Sequence, residues 1–373
     1  MTTLNYAPRG WPTSRTVGGE MTIYDYDYDL VGQLTKVTLP DLSYLAYVYD
    51  AAHRLTEIRD NLGNKIVYTL DAMGNRTAEN VRDPGNNLAQ TRSRVYNSLN
   101  RLTQDIGGTN PATQITQYGY DNQGNLTGIT DPLSHVTTNG FDALNRLKQV
   151  TDPALKLTLY GYNALDQLTS VTDPRSNATT YSVDALDNLN TQVSPDTGST
   201  INTFDAAGNL LNSQDAKAQT TTYTYDALNR VTQVTYHDGS QVQYGYDAGT
   251  NGKGHLTSII ETAPGGALQT QVLYAYDQKG RLTTDTRTIG SQAYVTQYGY
   301  DSAGRLNALT TPSGTQLTYT FDSAGRVSQI NATPAGGSAQ TVVSGVTYHP
   351  FGGAKSFTFG NGQTTSRTFD LDG

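Results

Sequence analysis

The chain has 373 residues, a net charge of −8 and no cysteine, so disulfides and thiolate chemistry are excluded. Apolar residues, tyrosine included, reach only 36% and charged residues 16%, which leaves too little aliphatic material for a thick core and no clustered cations for a nucleic-acid footprint. No run approaches 18 apolar residues and residues 1–20 hold no apolar stretch of signal-peptide type, so neither a membrane span nor a Sec signal is expected.

Residues 1–23 read as a lead-in segment, with Trp11 expected to cover the first sheet edge. From residue 24 a single unit recurs to the end, as in YDAAHRLT (49–56), YDNQGNLT (120–127), YDALNRVT (225–232) and YDSAGRLN (300–307). Taking its second residue as the register mark, the marks are Asp29, Asp50, Asp71, Asn97, Asp121, Asp142, Asn163, Asp184, Asp205, Asp226, Asp247, Asp277, Asp301, Asp322, His349 and Asp370. Ten of the 15 intervals are 21 residues long; the others are 26, 24, 30, 24 and 27, and their extra residues are expected as loop insertions.

Three columns explain the unit. The residue before the mark is Tyr ten times, as at Tyr28, Tyr49, Tyr120, Tyr162, Tyr225, Tyr246, Tyr276 and Tyr300. Two residues further upstream stands a second Tyr column, including Tyr26, Tyr47, Tyr118, Tyr160, Tyr223, Tyr244, Tyr274 and Tyr298. A spacing of two puts both columns on one face of an extended strand, so stacked units carry two rows of rings. Three residues after the mark stands a residue that tolerates positive φ: Gly32, Gly74, Gly124, Asn145, Gly208, Asn229, Gly280, Gly304 and Gly325 among them. Thr250 interrupts this column at a four-residue insertion, and Gly254 resumes it.

Asp followed three residues later by such a residue signals a type I turn closing a hairpin, with the Asp side chain accepting turn N–H groups. Leu or Val then opens a short Thr-rich strand, and a second turn follows, as at Asp131-Pro132, Asp152-Pro153 and Asp173-Pro174. One unit is therefore strand, turn, strand, turn, and no stretch has a helical period. About 30 strands at roughly 4.8 Å each would make a ribbon of about 150 Å. Open sheets of that size curl, and the composition cannot pair two such sheets face to face. The expected architecture is all-β: tandem hairpins forming one long sheet wound into a curved or hollow shell.

These units resemble the RHS/YD repeats of bacterial polymorphic toxins, of the C components of insecticidal toxin complexes and of the teneurin barrel, over residues 24–373. The resemblance implies a β-shell that encloses a toxin or other polypeptide cargo and a secreted or exported protein. Two departures stand out. The Asp-, Pro- and Gly-rich segment that closes family shells is missing, YHPFGGA (348–354) being the nearest fragment, and FDLDG (369–373) stops inside a hairpin turn. The array is accordingly expected to be truncated within its last turn.

No catalytic, cofactor or metal site is expected. The register aspartates read as turn residues, not acid–base pairs. Asp25, Asp27 and Asp29 (DYDYD) could face a hard cation such as Ca²⁺ from one strand, but lack the turn Gly and terminal Glu of a calcium loop, so a solvated face is preferred. His53, His135, His237, His255 and His349 share no metal-ligand spacing. The Gly-rich stretches 107–113, 249–254 and 263–267 match no phosphate-binding pattern and read as loop excursions. The Tyr rows leave one alternative, a cell-surface adhesive or glycan-binding wall, since exposed aromatic rows mark binding surfaces; their recurrence in every unit favours a structural ladder.

Overall fold

The computed structural model describes residues 2–17, 23–111 and 113–373, without the side chains of Val17 and Ile23; residues 18–22 of the lead-in segment lie outside the described residues. Those described form 33 β-strands and no helix. The fold is all-β and made of tandem hairpins, as the repeat predicts.

The chain divides into two compact units: Met1–Ile115 with Tyr276–Asp285 and Val295–Gly373, and Thr116–Ala275 with Thr286–Tyr294. In the first, consecutive strands pair antiparallel from Thr2–Tyr6 through Leu102–Ile106, and again from residues 295–300 through Thr364–Ser366. In the second, the same pairing runs without a break from residues 116–120 to Leu268 and beyond.

The hairpin at Asp121 shows why 21 residues make one unit. Tyr118 opposes Ile129 and Gly119 opposes Gly128, but Tyr120 opposes Leu126, with a register shift beside it. Leu126 and Thr127 thus face one residue, a β-bulge. The bulge brings Leu126 and Ile129, three apart, to the face that carries Tyr118 and Tyr120. At the other end Thr130 opposes Val136 with no shift. The odd unit length absorbs that one extra residue.

Both turns of the unit have one geometry. The Asp121 N–H donates to the Asn125 carbonyl at 3.1 Å and the Gly124 N–H to the Asp121 carbonyl at 3.2 Å; at the second turn, Asp131 pairs with His135 at 3.0 Å and Ser134 with Asp131 at 2.9 Å. The fourth residue of most turns is left-handed. At the first turns this holds for Gly32, His53, Gly74, Asn100, Gly124, Asn145, Asp166, Asp187, Gly208, Asn229, Gly280, Gly304, Gly325 and Gly373, and Gly254 takes the place at the insertion after Asp247. The turn at His349 differs: Phe351, at φ 48°, takes the positive φ. Several second turns force ordinary residues into the same region, among them Leu42 (φ 69°), Leu155 (φ 61°) and Ala218 (φ 60°).

Three expectations need correction. Most inserted residues lengthen strands instead of forming loops, as in the nine-residue strands Leu88–Tyr96, Leu268–Tyr276, Gln292–Tyr300 and Gln340–Tyr348. A paired extension satisfies backbone N–H and C=O groups that a loop would leave to water. Residues 263–267 are an ordinary tight turn, with Ala263 N–H on the Ala267 carbonyl at 2.8 Å, so only 107–113 and 249–254 remain excursions. Trp11 closes the turn after Thr2–Tyr6 and lies against the first repeat turn, its ring 5.5 Å from that of Tyr28, instead of capping a strand edge. A Cβ on Gly32 would stand 2.5 Å from its indole.

Among the described residues the buried apolar side chains are only Tyr68, Val81, Val234 and Val272. The accessible surface is 21568 Å², against about 14,500 Å² for a compact protein of this mass. With so little apolar burial among the described residues, stability rests on contacts between neighbouring strands.

Candidate functional site

Two recurring arrangements hold the sequence-predicted residues, the aromatic rows and the turn ladder, and a seam joins early repeats to late ones.

In the rows most rings oppose an aliphatic side chain, while Tyr68 opposes Glu79 and Tyr181 opposes Gln192. Tyr26 pairs with Val37, Tyr47 with Ile58, Tyr118 with Ile129, Tyr160 with Val171, Tyr223 with Val234, Tyr244 with Ile259 and Tyr298 with Leu309. Tyr28 pairs with Leu34, Tyr49 with Leu55, Tyr162 with Leu168, Tyr225 with Val231, Tyr246 with Leu256 and Tyr300 with Leu306. Such cross-strand pairs contribute roughly 0.2–1 kcal/mol each. Tyr274 and Tyr276 lie on the strand Leu268–Tyr276.

The hydroxyls have a specific duty. The bulge frees the carbonyl of the Leu or Val that follows the turn, and the Tyr before the next mark donates to it. Tyr49 reaches Leu34 at 2.9 Å, Tyr162 reaches Leu147 at 2.8 Å, Tyr225 reaches Leu210 at 2.9 Å and Tyr246 reaches Val231 at 2.9 Å. Tyr300 reaches Leu282 and Tyr348 reaches Val327 in the same way. Where that Tyr is replaced by Phe141 or Phe204, an Asn two residues upstream takes over: Asn139 donates to the Leu126 carbonyl and Asn202 to that of Leu189, both at 2.9 Å. Burial first, then neighbouring negative groups, raises the phenols of Tyr49 and Tyr225 above their ordinary value.

The register aspartates form the ladder. Asp50 Oδ1 accepts the N–H groups of Ala52 and Arg54, and the same pattern recurs at Asp29, Asp71, Asp142, Asp226 and Asp277. Asp121 accepts from Gly124 and Asn125; Asp301 from Arg305; Asp322 from Ala324 and Arg326. The residue four after the mark joins one turn to the next. Arg146 pairs with Asp142 and Asp166 at 2.7 Å each, Asn125 donates to Asn145 Oδ1 at 2.8 Å and Asn209 to Asn229 Oδ1 at 2.9 Å. The guanidinium also lies on the next unit's ring: Arg230 over Tyr246 at 4.2 Å, Arg281 over Tyr300 at 4.4 Å and Arg305 over Phe321 at 4.1 Å. The linking column is the R of YDxxGRLT, which the three columns read from sequence passed over; its restriction to Arg, Asn, Gln and His in nearly every unit was the available signal.

The seam lies within the first unit. Arg305, paired at 2.7 Å with its own Asp301, also pairs at 2.5 Å with Asp41 in a second turn 264 residues away. Asn61 Nδ2 donates to the Ser323 carbonyl at 2.7 Å across 262 residues, and Gln90 Nε2 to the Asp372 carbonyl at 2.8 Å across 282. Second-turn edges of early repeats thus meet first-turn edges of late ones.

The DYDYD aspartates separate: Asp25 and Asp27 are exposed opposite Thr38 and Lys36, while Asp29 caps its turn. Among the described residues no group of three or more His, Asp or Glu is placed to hold a metal ion. No helix there is long and apolar enough to cross a membrane, which says nothing of β-barrels.

The model of the RHS Repeat matches residues 28–65, 49–88, 96–136, 123–155, 141–178, 162–200, 204–241 and 300–339. The chain belongs to the RHS repeat family. No curated protein matches it. Among solved structures it is similar to a chain of a mutant Tc holotoxin pore of Photorhabdus luminescens, with a TM-score of 0.69 at 15% identity, covering 96% of this chain and 21% of that one. It is matched more loosely by a TcdB2–TccC3 crystal structure, at a TM-score of 0.40 and 12% identity, covering 100% of this chain and 28% of the other. The RHS array spans 21% and 28% of the length of these two structures.

Proposed function

We propose that this RHS array is a wall segment of a shell that sequesters a polypeptide cargo, a toxin in the toxin-complex setting, in a secreted or exported protein. The seam carries this reading. A straight ribbon of hairpins holds nothing, whereas repeats 262–282 residues apart in sequence are joined here by an ion pair and hydrogen bonds. A chain of paired strands with few buried apolar side chains among the described residues suits a wall better than a packed domain.

We also infer that the array has no catalytic role of its own. The register carboxylates are spent on turn N–H groups and on the ladder cations, which supports a scaffold in place of acid–base chemistry. The glycan-binding alternative gains little from the rows, since in the row before the mark the hydroxyls of Tyr49, Tyr162, Tyr225 and Tyr246 are donated to bulge carbonyls.

The test is protease protection in a longer polypeptide that contains this array. An attached polypeptide should survive digestion with the wall intact and be cleaved after the charge reversal Arg305→Glu. Equal cleavage with and without the wall would sink the reading.

A further inference from the structure

The last turn is held in a site of its own. After the strand Thr364–Ser366, residues 367–373 form no strand, and all but Leu371 are exposed. The turn Asp370–Gly373 is closed by the Gly373 N–H on the Asp370 carbonyl at 3.2 Å and by the Asp372 N–H on Asp370 Oδ1 at 3.0 Å.

Its partners lie more than 260 residues upstream. The Thr91 N–H donates to the Leu371 carbonyl at 2.9 Å and Gln90 Nε2 to the Asp372 carbonyl at 2.8 Å. The N–H groups of Gly108 and Thr109 donate to the two oxygens of the Asp372 carboxylate, at 2.6 and 3.3 Å. Successive N–H groups turned on one carboxylate make an anion-binding concavity, and such charged bonds are roughly twice as strong as neutral ones. Those donors, the Gly108 N–H foremost, hold the Asp372 carboxyl below its usual value.

The loop that carries the concavity is tied by backbone bonds of its own. Excursion 107–114 is pinched by the Gly107 N–H on the Gln114 carbonyl at 2.9 Å and the Gln114 N–H on the Asn110 carbonyl at 3.0 Å. Only glycine fits its first two positions. A Cβ on Gly107 would lie 2.5 Å from Asp372 Oδ1, and one on Gly108 2.7 Å from the Leu371 carbonyl oxygen. Phe369 packs edge-on against His349 at 4.6 Å, and with Leu371 it lines a cavity of about 370 Å³ bordered by Asp83 and Lys355.

We propose that Gln90, Thr91 and residues 107–109 are a binding site for a peptide turn of the form Asp-x-Asp-Gly, and that its occupant here, residues 370–373, is a latch that opens while the sheet stays folded. Four hydrogen bonds hold the turn 370–373, behind the Phe369 ring contact and the bonds of Arg367 to Lys355 and His349, so the exposed turn belongs to the low-stability end of the molecule, where local opening precedes unfolding. Opening removes the wall of that cavity that Asp370 and Leu371 supply. The site shares the Gln90–Asp372 bond with the seam, but its other contacts, at Thr91, Gly108 and Thr109, are no part of the shell reading.

Hydrogen exchange of the full chain tests this. In Asp372→Asn the amides of Thr91, Gly108 and Thr109 should exchange at least about tenfold faster while those of residues 220–235 keep their rate, as local opening requires. A synthetic peptide of residues 366–373, added to the Asp372→Ala chain, should restore protection at Gly108 and Thr109; the same peptide with Asn at position 372 should not. Exchange at these amides that is unchanged by Asp372→Asn, or that rises only together with residues 220–235, would overturn the proposal. So would a peptide that gives no protection. Gly108→Val provides a second variant, expected to abolish peptide binding.

Discussion

At the scale of single residues, the exchange of a Tyr hydroxyl for an Asn amide is the most informative detail. A bulged carbonyl on a half-buried face needs a donor, and an unmet one costs about 1–3 kcal/mol. Tyr225→Phe should therefore destabilise the chain by about 1 kcal/mol by leaving the Leu210 carbonyl without its partner. Asn139→Ala should cost a similar amount, and adding Phe141→Tyr should restore stability by bringing a hydroxyl to the Leu126 carbonyl; denaturant melts of the single and double variants check both. The Tyr columns were legible because a spacing of two fixes one face. Their hydroxyl duty was not, because it depends on the bulge. The only trace of the bulge in the sequence is the three-residue spacing of Leu126 and Ile129, or Val231 and Val234, on strands where one face repeats every two residues. Backbone strain gives opposite predictions at two turns. Gly304, at φ 87°, should tolerate Val poorly, at a cost of roughly 1–2 kcal/mol or more. Leu155, at φ 61° and 82% exposed, gains nothing from its side chain, and Leu155→Asn should raise the melting temperature by relieving part of a strain of roughly the same size.

At the scale of the hairpin, the register Asp sets both geometry and pH response. The first turn was readable because Asp, a positive-φ residue and a following Leu occupy fixed places. The second turn was harder: its left-handed position is filled by Leu42, Ser134, Leu155, Ser176 or Ala218, residues that do not announce that conformation. The fate of the inserted residues was hidden for a related reason, since a polar Thr- and Gln-rich insertion suits an exposed strand and a loop equally. Asp71, Asp121, Asp184 and Asp205 are held below the ordinary carboxylate value, first by the amide of the Asn four residues on. Asp142 and Asp226 are lowered first by a backbone N–H, and Asp247 falls to about 2 beside Arg230. A carboxyl whose folded value lies below its unfolded one stabilises the fold only while ionised. That contribution is complete above the unfolded value of about 3.9 and is lost as pH falls through the folded values, for Asp247 through about 2. The melting temperature should be flat in this respect above about pH 5 and drop steadily below about pH 4. A melting temperature that holds down to pH 2 would show that these carboxylates contribute nothing.

At the scale of the whole chain, the repeat period and the all-β class could be read directly, because hairpin pairing is local and each unit specifies its own turn. The seam could not. Asp41, Asn61, Arg305 and Ser323 carry no pattern that sets them apart from equivalent residues in other units, and their pairing depends on where accumulated twist brings the late repeats. That return is nevertheless what separates a wall from a ribbon. The absence of cysteine from the chain makes it directly measurable. Spin labels at Asn61→Cys and Ser323→Cys, read by pulsed electron–electron double resonance, should give one narrow distance at the short end of the accessible range. In a ribbon that runs on without returning, the 23 strand steps between these turns would separate them by about 110 Å, and the dipolar signal would vanish.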